Sequence, residues 1–81
     1  MTRLTNRARK DLEELPSAMQ DRARAVIGRL DSDPTLGTKL LGKLAGKRSA
    51  RLGRSFRIIY RIDEEGPVVL TIRPRRDAYT R

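Results

Sequence analysis

The sequence contains no cysteine, no histidine and no tryptophan. Each absence closes a class of chemistry. Without cysteine there is no disulfide and no thiol nucleophile, and without either residue there is no Cys/His zinc site and no histidine acid/base pair. Aromatic residues are scarce as well, with one Phe and two Tyr. No apolar run approaches the roughly 18 residues of a membrane span, and the opening "MTRLTNRARK" lacks the apolar core of a signal peptide. A cytoplasmic protein with no membrane, metal or cofactor requirement is the expectation.

The chain has 81 residues and a hydrophobic fraction of 37%. That length implies a single domain spanning 1–81, with one core between two packed layers. A core of this size leaves no room for a large buried substrate pocket, so a functional site belongs on a surface or groove. Charge is the strongest compositional signal. Lys and Arg total 19 against 10 Asp and Glu, a net +9, and 15 of the 19 cations are arginine. Arginine binds phosphate bidentately and keeps its charge when desolvated, so the balance points to nucleic acid, an acidic protein partner, or both. A high-GC coding bias also enriches arginine over lysine.

Periodicity divides the chain in two. Ala8, Leu12 and Leu15 recur at helical spacing behind Thr5, a suitable N-cap, and Pro16 ends that helix. A second helix is expected from Ser17 to Asp31, with Met19, Ala23, Val26, Ile27 and Leu30 on one stripe. The short "LPS" join requires an antiparallel helix hairpin. "DSDPTLGTK" reads as a turn-rich connection, and "KLLGKLAGK" as loop with a helical turn. From Ser49 the period becomes two, through "SARLG", "FRIIYRI" and "VVLTIR", which predicts a three-stranded antiparallel meander. The fold class is therefore α+β: an N-terminal helix hairpin packed on one face of a small antiparallel β-sheet.

Alternation assigns Ala50, Leu52, Phe56, Ile58, Tyr60, Ile62, Val68, Leu70 and Ile72 to the face that meets the helices. The other face collects Ser49, Arg51, Arg57, Ile59, Arg61, Val69, Thr71 and Arg73. Like charges facing one another across a sheet are destabilising without an anionic partner, so this face is read as a phosphate-binding surface. Phe56 and Tyr60 fall on the core side, which argues against base stacking on the sheet.

"KLLGKLAGKRSARLGRSFRIIYRID" followed by "VVLTIRPRRDAYTR" resembles the RelE/ParE superfamily of bacterial toxins from toxin–antitoxin pairs. The shared pattern is a Leu-x-Gly lead-in, a second Gly, an arginine-containing strand ending in Gly53, "FRIIYRI", a short acidic turn, an apolar strand, and an arginine pair followed by tyrosine. The resemblance is closest to the RelE branch and implies a fold like the small microbial ribonucleases. It also implies ribosome-dependent cleavage of messenger RNA in the A site by metal-free 2′-hydroxyl attack. Residue by residue, it places catalytic roles on Arg57, Arg75, Tyr79 and Arg51, while a second basic position of the family falls on Ser49. Beside these positions, an RNA path is expected along Arg61, Arg73, Arg76, Lys47, Arg48 and Arg54. The implied partners are a cognate antitoxin, in a hetero-oligomer, together with the ribosome and its message.

Cleavage by a neighbouring 2′-hydroxyl needs a base, positive charge on the developing phosphorane and an acid for the leaving 5′ oxygen. Arg57 suits the phosphorane, and the resemblance gives Arg75 the leaving group. Tyr79 is suited to stacking on a base or orienting the 2′-hydroxyl. For the base, Arg51 and a tyrosinate form of Tyr79 are both weak candidates, arginine because its pKa lies above about 12. Two other readings compete: a ParE-like poison of DNA gyrase without nuclease activity, and a basic ribosome- or nucleic-acid-binding module with a decayed site.

Overall fold

A computed structural model describes residues 1–75. The element order is β1 (Arg3–Leu4), α1 (Asn6–Glu14), α2 (Ser17–Ser32), β2 (Thr38–Lys39), a 3-10 turn at Gly42–Leu44, β3 (Arg48–Leu52), β4 (Phe56–Asp63) and β5 (Gly66–Pro74). Thr5 starts α1 as expected. Its backbone is extended, its Oγ1 accepts from the Ala8 N–H at 3.1 Å, and the same hydroxyl donates to the Leu70 carbonyl at 2.8 Å. A cap of this kind contributes about 1 kcal/mol, and here it also ties the helix start to β5.

Pro16 separates the helices because the residue before a proline is driven out of the helical region, and Leu15 is extended. Gln20 then closes the hairpin. Its amide donates to the carbonyls of Glu13 at 3.0 Å and Leu15 at 2.9 Å, acceptors that the end of α1 leaves without an intrahelical partner.

The sheet is five-stranded in the order β1-β5-β4-β3-β2. Its three central strands form the expected antiparallel meander, but the whole sheet is mixed, because β1 runs parallel to β5 while β2 pairs antiparallel with β3. Both added strands are two residues long, too short to carry an alternation signal.

The core joins Ala8, Leu15, Ala23 and Leu30 of the helical layer to Ala50, Leu52, Ile58, Tyr60, Val69 and Ile72 of the sheet. Burying a leucine or isoleucine side chain in such a cluster contributes about 1.5–3 kcal/mol. Three of the expected core positions differ. Between Ile59 and Tyr60 the β4–β5 register shifts, so that Ile59 faces Thr71 while Tyr60 faces Val69, and Leu70 is the extra residue of a β-bulge. A bulge reverses which residues face the core beyond it. Val69, expected on the open face, is therefore fully buried in the core; Val68 sits opposite Arg61, and Leu70 is half-buried outside the cluster. Ile62, also expected in the core, is 42% exposed and lines a surface groove with Lys39 and Leu41.

Tyr60 links the sheet to the loop after α2. Its hydroxyl donates to the Pro34 carbonyl at 2.7 Å and accepts from the Gly37 N–H at 2.9 Å. Gly37 must be glycine, since a Cβ there would meet the Ser49 carbonyl oxygen at 2.7 Å and the Tyr60 ring at 2.9 Å. At the other edge, the Thr2 hydroxyl donates to Asp31 at 2.6 Å, and Thr2 N–H adds a second bond to the same carboxylate oxygen. Arg3 pairs with Asp63 and with Glu65, which fastens β1 to the β4–β5 turn.

Candidate nucleic-acid interface

Strand register sets the geometry of the basic face. Arg51 pairs with Arg57 across β3 and β4, and Arg57 pairs with Arg73 across β4 and β5. Three arginines thus form one row across the sheet, on the side away from the core residues Leu52, Ile58 and Ile72. Directly opposed side chains in a sheet lie about 4.5–5.5 Å apart at Cβ, a spacing at which guanidinium groups repel unless an anion lies between them.

The face is not uniformly open. Arg57, in the middle, is only 8% exposed, and its neighbours Ser49 and Ile59 are buried, whereas Arg51 is exposed and Arg73 half-buried. The Arg57 Nη1 donates to its neighbour's carbonyl, Phe56 O, at 3.5 Å. Arg57 is therefore a partly desolvated cation between two wetter ones. Electrostatic attraction to an anion strengthens as solvent is excluded, so the row is strongest at its centre. Among the described residues, ion pairs form at Arg3 and Arg7, and none forms at Arg51 or Arg73.

Arg75 joins this end of the sheet. Its N–H donates to the Ser55 carbonyl at 2.6 Å, which continues the β4–β5 ladder one step past Pro74 and holds Arg75 beside the turn that carries Arg54. Gly53 makes that turn with φ at +62°, a conformation that glycine adopts without strain. Of the expected site residues, Arg51, Arg57, Arg73 and Arg75 are thus brought together, with Arg54 exposed in the adjoining turn.

The remaining expected residues lie elsewhere. Arg61 is four residues along β4 from Arg57, about 13 Å away at strand rise, opposite Val68. Lys47 and Arg48 line a groove of about 410 Å³ with Lys39, Leu41 and Ile62, where Leu41 is 84% exposed. Arg48 pairs with Tyr60, so alternation puts it on the opposite side of β3 from Arg51. Its buried Nε has no hydrogen-bond partner among the described residues. Arg76 and Tyr79 lie outside the described residues.

Two cavities flank the arginine row. One of about 250 Å³ lies between α1 and β5, with Arg7, Asp11, Glu14 and Arg73 among its lining. Asp11 is committed there, accepting from Thr71 Oγ1 at 2.6 Å and the Ile72 N–H at 3.0 Å and pairing with Arg7 at 3.5 Å. The other, of about 280 Å³, lies at the β3 edge and brings Arg29 and Thr38 to Ser49, Arg51 and Arg57. Arg29 was not among the residues expected from sequence, and its only signal was a position three residues after Val26 at the border of the apolar stripe. Among the described residues, no group of three His, Cys, Asp or Glu side chains is placed to hold a metal ion. Nor is any described helix long and apolar enough to cross a membrane.

The family described as "ParE toxin of type II toxin-antitoxin system, parDE" matches residues 2–79. The chain belongs to this toxin family. It is 40% identical over 86 residues to Toxin RelG of Mycobacterium tuberculosis, covering 98% of this chain and 94% of that protein. The toxin's fold matches a chain of the toxin–antitoxin complex RelBE2 from the same species at a TM-score of 0.82 and 37% identity, covering 93% of this chain and 96% of that one. A YoeB/ParE toxin from Agrobacterium tumefaciens shares the fold at a TM-score of 0.77, with 24% identity over 90% of this chain and 95% of that one.

Proposed function

We propose that this toxin is a ribosome-dependent endoribonuclease that cleaves messenger RNA in the A site by attack of the 2′-hydroxyl on the adjacent phosphate. The observation that carries the reading is the in-register row Arg51–Arg57–Arg73, with Arg75 held at its end. A phosphorane gains negative charge on its equatorial oxygens as it forms. A pre-positioned, partly desolvated guanidinium at Arg57 stabilises that charge more than it stabilises the ground-state phosphate. Arg51 and Arg73 on either side fix the neighbouring backbone, since phosphate contacts set register without reading sequence.

Arg75 stabilises the leaving 5′ oxygen, and the family resemblance gives Tyr79 the adjacent base or the 2′-hydroxyl. Proton transfer is modest in such a site. Positioning of the RNA by the ribosome supplies the larger share, because oriented reactants gain up to roughly 7–11 kcal/mol. The toxin is held in check by a cognate antitoxin in a cytoplasmic hetero-oligomer. An acidic antitoxin segment is drawn to a chain of net +9 quickly and in a salt-dependent way.

Mapping message ends in a reconstituted translation reaction tests the reading. Cuts within the A-site codon that disappear with Arg57→Ala are expected. Intact message accompanied by gyrase-dependent DNA breaks would overturn the reading in favour of a gyrase poison. Intact message with stalled translation would show a binding module without catalysis.

A further inference from the structure

The cavity at the β3 edge extends beyond what the arginine row requires. β2 pairs with β3 only at Thr38–Ser49 and Lys39–Arg48, so from Ala50 onward that side of β3 has no neighbouring strand. α2 and the loop at Leu36 and Gly37 form the opposite wall, held in place by the two hydrogen bonds of the Tyr60 hydroxyl. The result is a pocket of about 280 Å³ with three cations, Arg29, Arg51 and Arg57, two hydroxyl residues, Thr38 and Ser49, and no carboxylate in its lining. Its apolar floor is Val26, Leu36 and Ala50.

This combination has a definite chemical match. Guanidinium groups arriving from a helix and two strands suit a phosphate, because the exposed Arg29 and Arg51 offer paired donors to different oxygens and Arg57 adds charge behind them. The Thr38 hydroxyl supplies a further donor, and an aliphatic floor accepts the face of a nucleobase. The volume of about 280 Å³ falls below the roughly 300–1,000 Å³ typical of drug-sized ligand pockets, so it has room for one nucleotide at most. Arg51 and Arg57 line both the pocket and the row, which makes the two sites adjoining.

We propose that this pocket is a second nucleotide subsite, holding the phosphate and base of the nucleotide that neighbours the cleaved linkage, with Arg29 as its defining residue. The proposal rests on the reading of the toxin as an RNA-cleaving enzyme and adds a binding position to that site. A cation in the last turn of α2 also complements the helix dipole. That structural role alone predicts an effect on stability and none on RNA.

The test uses RNA dinucleotides and trinucleotides made uncleavable by 2′-deoxy substitution at the scissile position, with binding to the purified toxin followed by fluorescence anisotropy at several salt concentrations. The third nucleotide is expected to tighten binding to the wild-type protein. Arg29→Gln is expected to lose that increment, weakening the trinucleotide about tenfold and lowering the salt slope by about 0.7 for one lost single-strand phosphate contact. Arg29→Lys is expected to keep the slope while recovering only part of the affinity. Uridine 5′-monophosphate is expected to shift the backbone amide resonances of Thr38, Ser49 and Ala50.

An unchanged affinity increment and salt slope in Arg29→Gln would overturn the subsite. Nucleotide-induced shifts that avoid Thr38, Ser49 and Ala50 would do the same. If Arg29→Gln lowers the thermal midpoint, Arg29→Lys carries the comparison, and a slope equal to that of the wild type together with reduced affinity still supports the subsite. Arg29-dependent binding by a protein that leaves message intact would sink the nuclease reading and keep the subsite. Normal A-site cleavage with an Arg29-independent slope would do the opposite.

Discussion

Arg51 and Arg57 stand directly opposite one another on β3 and β4, and Arg57 stands opposite Arg73 in turn. Like charges directly opposed across a sheet repel, and on the function proposed above a phosphate laid across the row relieves that repulsion. The central member should matter most to chemistry. Arg57→Lys retains the charge but loses the paired donors, so single-turnover cleavage on programmed ribosomes is expected to fall by roughly 10²–10³-fold. Association with the ribosome should change far less, because the net charge of +9 is unchanged. Equal losses in binding and in cleavage would assign Arg57 to general attraction instead of the transition state.

Arg51→Ala and Arg73→Ala are expected to stabilise the fold slightly while weakening RNA binding. Removing either leaves Arg57 with one like-charged neighbour fewer, and among the described residues neither loses an ion pair. Urea unfolding should show a gain of a few tenths of a kcal/mol up to about 1 kcal/mol. A loss of stability in both variants would mean that the row is neutralised within the folded chain and is not poised for an external anion.

Tyr60→Phe tests the wall shared by the row and the edge cavity. The ring remains buried, but the Pro34 carbonyl and the Gly37 N–H lose their common partner. Leaving such groups unsatisfied costs about 1–3 kcal/mol, to be read from urea unfolding. Gly37→Ala is expected to be at least as damaging, because its Cβ would lie 2.7 Å from a backbone oxygen of Ser49, and backbone yields less readily than a flexible side chain. Wild-type stability in both variants would show that the loop is held by other contacts.

How much of this was legible in the sequence follows from the range of each interaction. The α1 start at Thr5, its end before Pro16 and the stripe through Ala23 and Leu30 are local patterns, and all three are present. Strand alternation put Arg51, Arg57 and Arg73 on one face correctly, because no irregularity intervenes between Ile58–Ile72 and that end of the sheet. Past Leu70 the same rule failed, since a single bulged residue inverts the pattern without any mark in the side chains of "VVLTIR". The two-residue edge strands, the Tyr60 bridge to Pro34 and Gly37, and the approach of Arg29 to Arg51 all depend on chain segments meeting across the fold. Composition signalled an interest in phosphate, but only the register shows which arginines face one another.

Acid stability should depend on the two carboxylates that fasten the N-terminal strand. Asp31 is held below the usual carboxylate range by hydrogen bonds from the Thr2 hydroxyl and then the Thr2 N–H. Asp63 is lowered first by the Arg3 hydrogen bond and next by the Glu65 N–H. A carboxylate whose pKa is lower folded than unfolded contributes fully above the unfolded value, about 3.9, and loses that contribution as pH falls through the folded value. The thermal midpoint is therefore expected to be flat above about pH 5 and to decline below about pH 4. Asp31→Asn and Asp63→Asn should each start lower and decline less. A wild-type slope retained in the double variant would place the acid transition elsewhere.

The pH dependence of cleavage bears on which group takes the proton. No histidine is present, so a base titrating near neutrality is not available from an unperturbed side chain. Asp11 already accepts from Thr71 and Ile72 and pairs with Arg7, so its oxygens are engaged within the fold. If hydroxide or a tyrosinate form of Tyr79 accepts the 2′-hydroxyl proton, the single-turnover rate should climb across neutrality without a plateau, and Tyr79→Phe should remove any bend near pH 10. An ascending limb that levels off near pH 5 would instead point to a carboxylate. Glu14, which lines the same cavity as Arg73, is then the residue to change, and loss of that limb in Glu14→Gln would identify it as the base.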